Sequence, residues 1–165
     1  MIDPTISISF IDYNNKENIR ILNACLSKWF ENPKILHFTD PKMNYPFNIN
    51  KWISLSYKGE NVKTLILKID NWIIGHLSMK IWADKNSVHL FHLIVDPKYL
   101  RKGYAKNLIR YAENIIKIQN KKKITLHVVK KNTIAKQLYQ SMGYLKLDKN
   151  NIGGNLKMEK IIDIR

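Results

Sequence analysis

An α/β fold, a mixed central sheet with helices on both faces, is what this chain predicts. Three observations carry that reading. Segments of strand character and segments of helical spacing follow one another in the order β, α (α), β, β, β, α, β, α, β, β. Two strands flank Asp70-Asn71, a hairpin signal, while later strands are separated by whole helices. No repeat and no linker interrupts the 165 residues, which fit a single domain over 1–165 with a real core.

Each element has its own warrant. Residues 5–11 alternate, with Ile6, Ile8 and Phe10 on one face of a strand. Asn15 to Phe30 carries Ile19, Leu22, Leu26, Trp29 and Phe30 at helical spacing, with Asn14 or Asn15 as its cap. Pro33, Pro41 and Pro46 mark an irregular connection that holds Phe38, Tyr45 and Phe47. Those rings either wall a ligand site or pin the loop to the core. A short helix over Asn50–Tyr57 precedes a turn at Lys58-Gly59-Glu60-Asn61. Strands follow over Val62–Ile69 and Trp72–Trp82. Gly75, inside the second, predicts a bulge or a close backbone approach. Ser87–Val95 reads as a strand, Tyr104–Ile118 as a helix, Ile124–Val129 as a strand and Thr133–Met142 as a helix. Gly143–Leu147 starts a strand, Asn151–Gly154 turns the chain, and Leu156–Ile162 is the last strand.

Composition narrows the function classes. No apolar run approaches the ~20 residues that span a bilayer, and MIDPTISISF does not have the form of a signal peptide. The single cysteine, Cys25, sits among Ile21, Leu22 and Leu26 at helical spacing. That arrangement makes it a buried thiol, allows no intramolecular disulfide and fits the cytoplasm. A formal charge of +15 attracts polyanions, from nucleic acid to nucleotide cofactors. Almost all of it is lysine, however, and the four arginines (Arg20, Arg101, Arg110 and Arg165) form no cluster. This speaks against specific nucleic-acid recognition, which uses arginine forks and stacked aromatics. No grouping of histidines and cysteines has metal-ligand spacing.

The stretch VDPKYLRKGYAKNLI, Val95 to Ile109, runs from a strand end through a basic turn into a helix. The first N–H groups of that helix have no partner within it, and with the helix dipole they form an anion site. Gly103 permits close backbone approach, Ala105 is small, and Arg101 and Lys102 add positive charge. A diphosphate fits this arrangement, and a plain surface turn is the alternative. A second stretch, HVVKKNTIAKQLYQSMGYLKL, follows another strand. On its helix Asn132, Ala135 and Tyr139 share a face, Leu138 and Met142 point toward the sheet, and Gly143 supplies a left-handed cap.

Together these stretches resemble the GNAT superfamily of acetyl-CoA-dependent N-acetyltransferases. The first matches its strand, V-x-P, basic turn and G-x-G/A pattern at Val95, Pro97, Gly103 and Ala105. The second matches N-x-x-A-x-x-L-Y-x-x-x-G-F/Y at Asn132, Ala135, Leu138, Tyr139, Gly143 and Tyr144. The resemblance covers about Trp72 to Leu147. Two places depart from it: Leu100 stands where Gln or Arg is usual, and Arg101 where glycine is common. The resemblance implies a GNAT fold in which Ser87–Val95 and Ile124–Val129 are parallel and splay apart, with CoA in the gap. The backbone of Leu93, Ile94 and Val95 then pairs with the pantetheine arm. Arg101, Lys102, Gly103, Tyr104, Ala105 and Lys106 hold the diphosphate, and Asn132, Ala135 and Tyr139 flank the thioester end.

Amine attack on a thioester requires a neutral amine, a held oxyanion and a proton for the leaving thiolate. Unperturbed alkyl amines titrate near ~10, so a base or a proton wire helps at neutral pH. The resemblance makes Tyr139 the acid for the thiolate, and a backbone N–H at Leu93 or Ile94 can hold the oxyanion. His89, six residues before Val95, is the candidate base, with a water chain as the alternative. His92 lies three positions further along the same strand. Strict alternation puts it on the opposite face, as a packed or hydrogen-bonded histidine. The expected activity is therefore acetyl transfer from acetyl-CoA to a primary amine. The acceptor is a protein or peptide N-terminus or a small amine, and LSKWFENPKILHFTDP loosely resembles enzymes that acetylate ribosomal-protein N-termini. A non-catalytic CoA-binding regulatory or ribosome-associated module and a basic RNA-binding protein are the alternatives. Monomer and homodimer both remain open.

Overall fold

The computed structural model describes residues 2–165, except for the side chains of residues 149–152. Its elements are β1 (Ile6–Ile11), α1 (Lys16–Trp29), α2 (Pro33–Thr39), α3 (Ile49–Ser56), β2 (Val62–Ile69), β3 (Trp72–Ile81) and β4 (Ser87–Val95), then α4 (Tyr104–Ile118), β5 (Lys123–Val129), α5 (Thr133–Ser141), β6 (Leu145–Ile152) and β7 (Asn155–Ile161). The strands form one sheet in the order β1-β2-β3-β4-β5-β7-β6. Neighbours are antiparallel except β4 and β5, which lie side by side and parallel. The expected mixed α/β sheet is what forms. Among the described residues no helix is long and apolar enough to cross a membrane.

Helices cover both faces because both faces are apolar. On one, α4 contributes Leu108, Ile109, Ala112 and Ile116 to a core with Leu65, Leu67, Leu77, Met79, Val88 and Leu90. On the other, α1 to α3 bring Leu22, Leu26, Trp29, Leu36 and Trp52 against Ile66 and Ile94. Asparagines start the helices on this side. The side chains of Asn15, Asn32 and Asn48 accept the backbone N–H groups of Asn18, Lys34 and Lys51.

Two local expectations are corrected. The proline-marked connection contains a helix, α2, because Pro33 occupies its first turn, where no N–H is needed. Of its aromatic neighbours, Phe47 packs against Phe30 and Trp52, Tyr45 is exposed, and Phe38 lines a cleft described below. In β1, Ile6, Ile8 and Phe10 alternate onto one face as expected, with Ile8 packed on the core and Ile6 and Phe10 half exposed. The last hairpin is tighter than expected: β6 runs to Ile152, and Gly153-Gly154 alone makes the turn, with Gly153 at φ +60°.

Gly75 shows both features its position implies. The β2–β3 register shifts at Leu67/Lys68 beside it, and a Cβ built on Gly75 would sit 2.9 Å from Leu108 Cδ1 and 3.3 Å from Leu67 Cβ. Leu108 and Leu67 are fully buried, so neither has room to give. Gly75→Ala is expected to cost about 1–3 kcal/mol by overpacking. Thermal unfolding reads this as a fall of roughly 2–4 °C per kcal/mol for a domain of this size. An unchanged midpoint would show that α4 rides over the sheet more loosely.

Candidate active site

The site starts where two parallel strands part. β4 and β5 pair in register from Ser87↔Lys123 to Leu90↔Leu126, and there the pairing stops. Beyond it β5 pairs only with β7, while β4 continues against β3 as far as Val95↔Gly75. Among the described residues, no strand pairs with Leu93, Ile94 and Val95 on the β5 side. Their backbone groups on that edge form an open parallel ladder, suited to an extended chain carrying amides.

The turn after β4 leads into α4 as the anion-site argument requires. Pro97–Tyr99 form a short 3-10 turn, with Asp96 accepting the Lys98 N–H. Leu100 is exposed. Arg101 adopts φ +62° and Gly103 φ +83°. An L-residue with a long side chain at positive φ is held at a cost of roughly 1–2 kcal/mol, which explains why glycine suits the Arg101 position. Gly103 caps α4 without any side-chain hydrogen bond, and nothing lies within 4 Å of where its Cβ would be. The N–H groups of Tyr104, Ala105 and Lys106 therefore begin a helix whose end is not closed by its own sequence. Lys102 lies over the Tyr99 ring beside it.

On α5 the expectation that Asn132 shares a helical face with Ala135 and Tyr139 is corrected. Asn132 is the cap: its backbone is outside the helix at φ −82°, ψ 74°, and its side chain accepts the Ala135 N–H at 3.2 Å. Helical periodicity does not extend to a capping residue. Leu138 and Met142 turn toward the sheet as expected, and Gly143 adopts φ +92° after the helix. Tyr139 is buried at the margin of the same core, edge-on to Tyr144. Burial alone raises its phenol above the ordinary value, with no hydrogen bond contributing.

The other face of the splay opens into a cleft of about 330 Å³ between α2, the loop after it, β3, β4 and β5. His89 and His92 both line it, together with Asp40 and His127. Strict alternation would separate the two β4 histidines; a bulge reunites them. The β3–β4 register shifts between His76 and Ser78, and His92 sits at φ +53°. The extra residue re-aims one side chain, so His92 turns to the face that Phe91 already occupies. The bulge is held in place, because His76 Nδ1 lies 2.8 Å from the His92 carbonyl. A carbonyl only accepts, so Nδ1 carries the proton, and Nε2 then accepts from the Tyr13 hydroxyl at 2.8 Å. Tyr13 in turn accepts from Trp52 Nε1 at 3.0 Å. Burial lowers His76 to about 3, so it stays neutral.

His92 is clamped at both ring nitrogens, Nε2 by Asp40 at 2.9 Å and Nδ1 by Tyr57 at 2.7 Å. Its ring stacks on Trp52 at 3.8 Å. Burial would raise the Asp40 carboxyl, but hydrogen bonds from His92 and the Lys42 N–H and the charge near them bring it below the usual range. An ionised Asp40 accepts, so Nε2 holds the His92 proton and Nδ1 takes the Tyr57 hydroxyl's. Tyr57 accepts from Ser78 at 2.8 Å and Ser78 from Thr64 at 2.9 Å. The hydroxyls thus all point one way, and among the described residues no buried side-chain polar atom lacks a partner. With both nitrogens occupied, His92 is a hydrogen-bonded structural histidine.

His89 differs. Its Nδ1 meets Thr125 Oγ1 at 2.9 Å, across the last paired rungs before the splay. Burial first, then His127 and nearby lysines, lower it to about 4. The His127 ring lies 5.0 Å away on β5 and is exposed. Asp40 and His127 are the cleft residues that sequence reasoning missed. Asp40 lies in a proline-flanked loop that looked irregular. His127 gave one signal: it follows the apolar β5 run at the point where the parallel partner departs. Tyr139 is not among the residues lining the cleft, so the candidate acid and base approach the splay from opposite faces of the sheet. Among the described residues no group of His, Cys, Asp and Glu forms a metal site.

Known proteins share this fold. Residues 24–144 match the sequence profile of the acetyltransferase (GNAT) family. A stretch of 55 residues, 33% of this chain and 38% of the relative, is 40% identical to a [ribosomal protein bS18]-alanine N-acetyltransferase from Haemophilus ducreyi, so the match spans well under half of that protein. Over 125 residues, 68% of this chain and 75% of the other, identity to a spermidine N(1)-acetyltransferase from Thermoplasma acidophilum is 27%. The crystal structure of the PaiA N-acetyltransferase from Thermoplasma acidophilum, in complex with coenzyme A, superposes with a TM-score of 0.73 over 96% of this chain and 99% of that one. At 23% identity that likeness is one of fold. The open edge of β4, the uncapped start of α4 and the profile match agree: the chain belongs to the acetyltransferase (GNAT) family, enzymes whose acetyl donor is acetyl-CoA.

Proposed function

We propose that the chain moves the acetyl group of acetyl-CoA to a primary amine by direct attack of the amine on the thioester. The observation that carries this reading is the parting of β4 and β5 after Leu90 and Leu126, beside a cleft that holds a neutral imidazole. The residues present fit the donor. Leu93, Ile94 and Val95 offer the pantetheine arm an open ladder edge. Arg101 to Lys106 offer the diphosphate free helix N–H groups and three cationic side chains. Asn132 acts indirectly by fixing the start of α5, and Ala135 keeps that helix thin beside the gap.

The chain's own groups then divide the chemistry. Acetyl-CoA supplies an activated acyl carbon. A backbone N–H at Leu93 or Ile94 holds the carbonyl oxygen as it gains charge. His89, which lines the cleft, is the base in the tautomer that donates its Nδ1–H to Thr125 Oγ1 and leaves a lone pair on Nε2. At about 4 it is a weak base, so the acceptor must enter as the neutral amine. His89 takes the proton that turns acidic as the C–N bond forms and the C–S bond breaks, and the exposed His127 beside it leads that proton to solvent. Tyr139 serves the leaving sulfur. A buried phenol is a weaker acid than a thiol, which titrates near ~8.5, so it stabilises the thiolate chiefly as a hydrogen-bond donor. The acceptor is a protein or peptide N-terminus or a small amine, and the setting is the cytoplasm.

The test is acetyl-CoA-dependent thiol release over N-terminal peptides, lysine peptides, polyamines and small amines, alongside thermal shift by acetyl-CoA. A bound donor with no acceptor turned over would sink the reading. For His89→Gln, we expect kcat to fall by roughly 10²-fold, the low end for general bases, because a base so weak contributes least. The wild-type pH profile follows from the sign of the shift. His89 is deprotonated, and so competent, at every pH above about 4. The rate should therefore climb with deprotonation of the acceptor amine and show no histidine limb near 6.5. An acid limb near 6.5 that vanishes in His89→Gln would show instead an exposed, ordinary histidine.

A further inference from the structure

The charge of the acceptor is written in the walls of the cleft. Lys80 on β3 stands directly across from His89 on β4, as a register pair on the same face. Its Nζ lies over the Phe91 ring at 5.2 Å, which holds the ammonium at the cleft wall. Lys42 enters from the loop after α2, where its N–H is anchored on Asp40 Oδ1 at 3.0 Å. Among the described residues neither lysine makes an ion pair with a carboxylate. His89 and His127 add two neutral imidazoles, each feeling the positive field of Lys42. Among the described residues the one carboxylate lining the cleft is Asp40, already committed to His92 and to the Lys42 N–H.

A cleft so lined repels cations. Like charges repel, and the more strongly where partial burial lowers the effective dielectric. A polyamine binding through one neutral amine still brings further ammonium groups into this field, with no free carboxylate to receive them. An acceptor carrying an anion beside its amine meets the reverse: two ammonium groups, neither of them in an ion pair among the described residues. We propose that the acceptor is a primary amine with a carboxylate close to it, bound by Lys42 and Lys80, and that polyamines are excluded. This rests on the acetyl-transfer reading. The shared chemistry is met by a free amino acid, through its α-carboxylate, or by a peptide N-terminus followed by acidic residues.

The test compares kcat/KM for acetyl-CoA-dependent thiol release with four acceptors: free glutamate, an Ala-Glu-Glu peptide, an Ala-Lys-Lys peptide and spermidine. Acidic acceptors should lead the lysine peptide and spermidine by tenfold or more at low salt, and the gap should narrow as salt rises. The order of glutamate and the acidic peptide separates the two sources. In a Lys42→Glu/Lys80→Glu double variant the preference should reverse, while the thermal shift with acetyl-CoA stays the same. Lys42→Gln/Lys80→Gln, which removes charge without adding any, should abolish the preference and serves if the reversed pair folds poorly. Spermidine or the lysine peptide performing as well as the acidic acceptors overturns the proposal and leaves acetyl transfer standing. So does an acidic preference that survives both variants. Donor binding without turnover of any acceptor overturns the transfer reading, and this proposal with it.

Discussion

Tyr139→Phe is expected to lower kcat by about 10²–10³-fold, the effect of removing one donor aimed at developing charge. That is roughly 3–4 kcal/mol of transition-state stabilisation. The fold should not change. The ring, which packs in the core and meets Tyr144 edge-on at 5.6 Å, remains, and no hydrogen bond contributes to the state of the hydroxyl. Removing an unbonded hydroxyl should move stability by less than about 1 kcal/mol. The deciding comparison is steady-state kcat against thermal midpoint and acetyl-CoA KM. A drop in kcat with midpoint and KM held constant assigns Tyr139 to the leaving sulfur. Full activity would reduce it to a packing residue, the ordinary fate of an aromatic at helical spacing.

The largest loss of stability is expected from Asp40→Ala. Asp40 and His92 are nearly sealed from solvent, and their contact ties the loop after α2 to the bulge in β4. Without the carboxylate, the His92 Nε2 proton has no acceptor, and the Lys42 N–H loses its anchor. Leaving the neutral His92 N–H without an acceptor costs about 1–3 kcal/mol, and losing the charge-assisted bond from the Lys42 N–H costs about as much again, which at roughly 2–4 °C per kcal/mol lowers the midpoint by on the order of 10 °C. Asp40→Asn keeps an acceptor oxygen at that position and should lose distinctly less. Equal midpoints for Asp40→Ala and wild type would mean that the loop is held by its apolar contacts alone.

The helices and strands were legible where one local rule dominated. Asn15 capping α1, the Asp70-Asn71 hairpin and the Gly75 close approach all follow from neighbouring residues and came through intact. The geometry of the turn from Arg101 to Ala105 was legible for the same reason, as one contiguous motif. The cleft on the other face was not. Asp40, Tyr57, Ser78 and His92 lie far apart in sequence, and only the packed sheet joins them. The facing of His92 was misread because alternation assumes an unbroken ladder, and one bulged residue reverses it. Pro33 misled in a simpler way: as a breaker it ends elements, but as a first-turn residue it starts one.

The lock on the bulge has a consequence for how the chain does its work. The His92 peptide would otherwise be free to swing, since its positive φ is unfavourable for a histidine. His76 holds its carbonyl, and Tyr13 and Trp52 hold His76, so its orientation is set when the sheet closes. The next amides along, at Leu93 and Ile94, inherit that orientation. Dipoles fixed during folding need no rearrangement when a charge appears beside them, whereas water must reorganise around the same charge at every turnover. In the proposed acyl transfer the reorganisation energy is in this sense settled once, by a buried tyrosine and tryptophan that do not line the cleft.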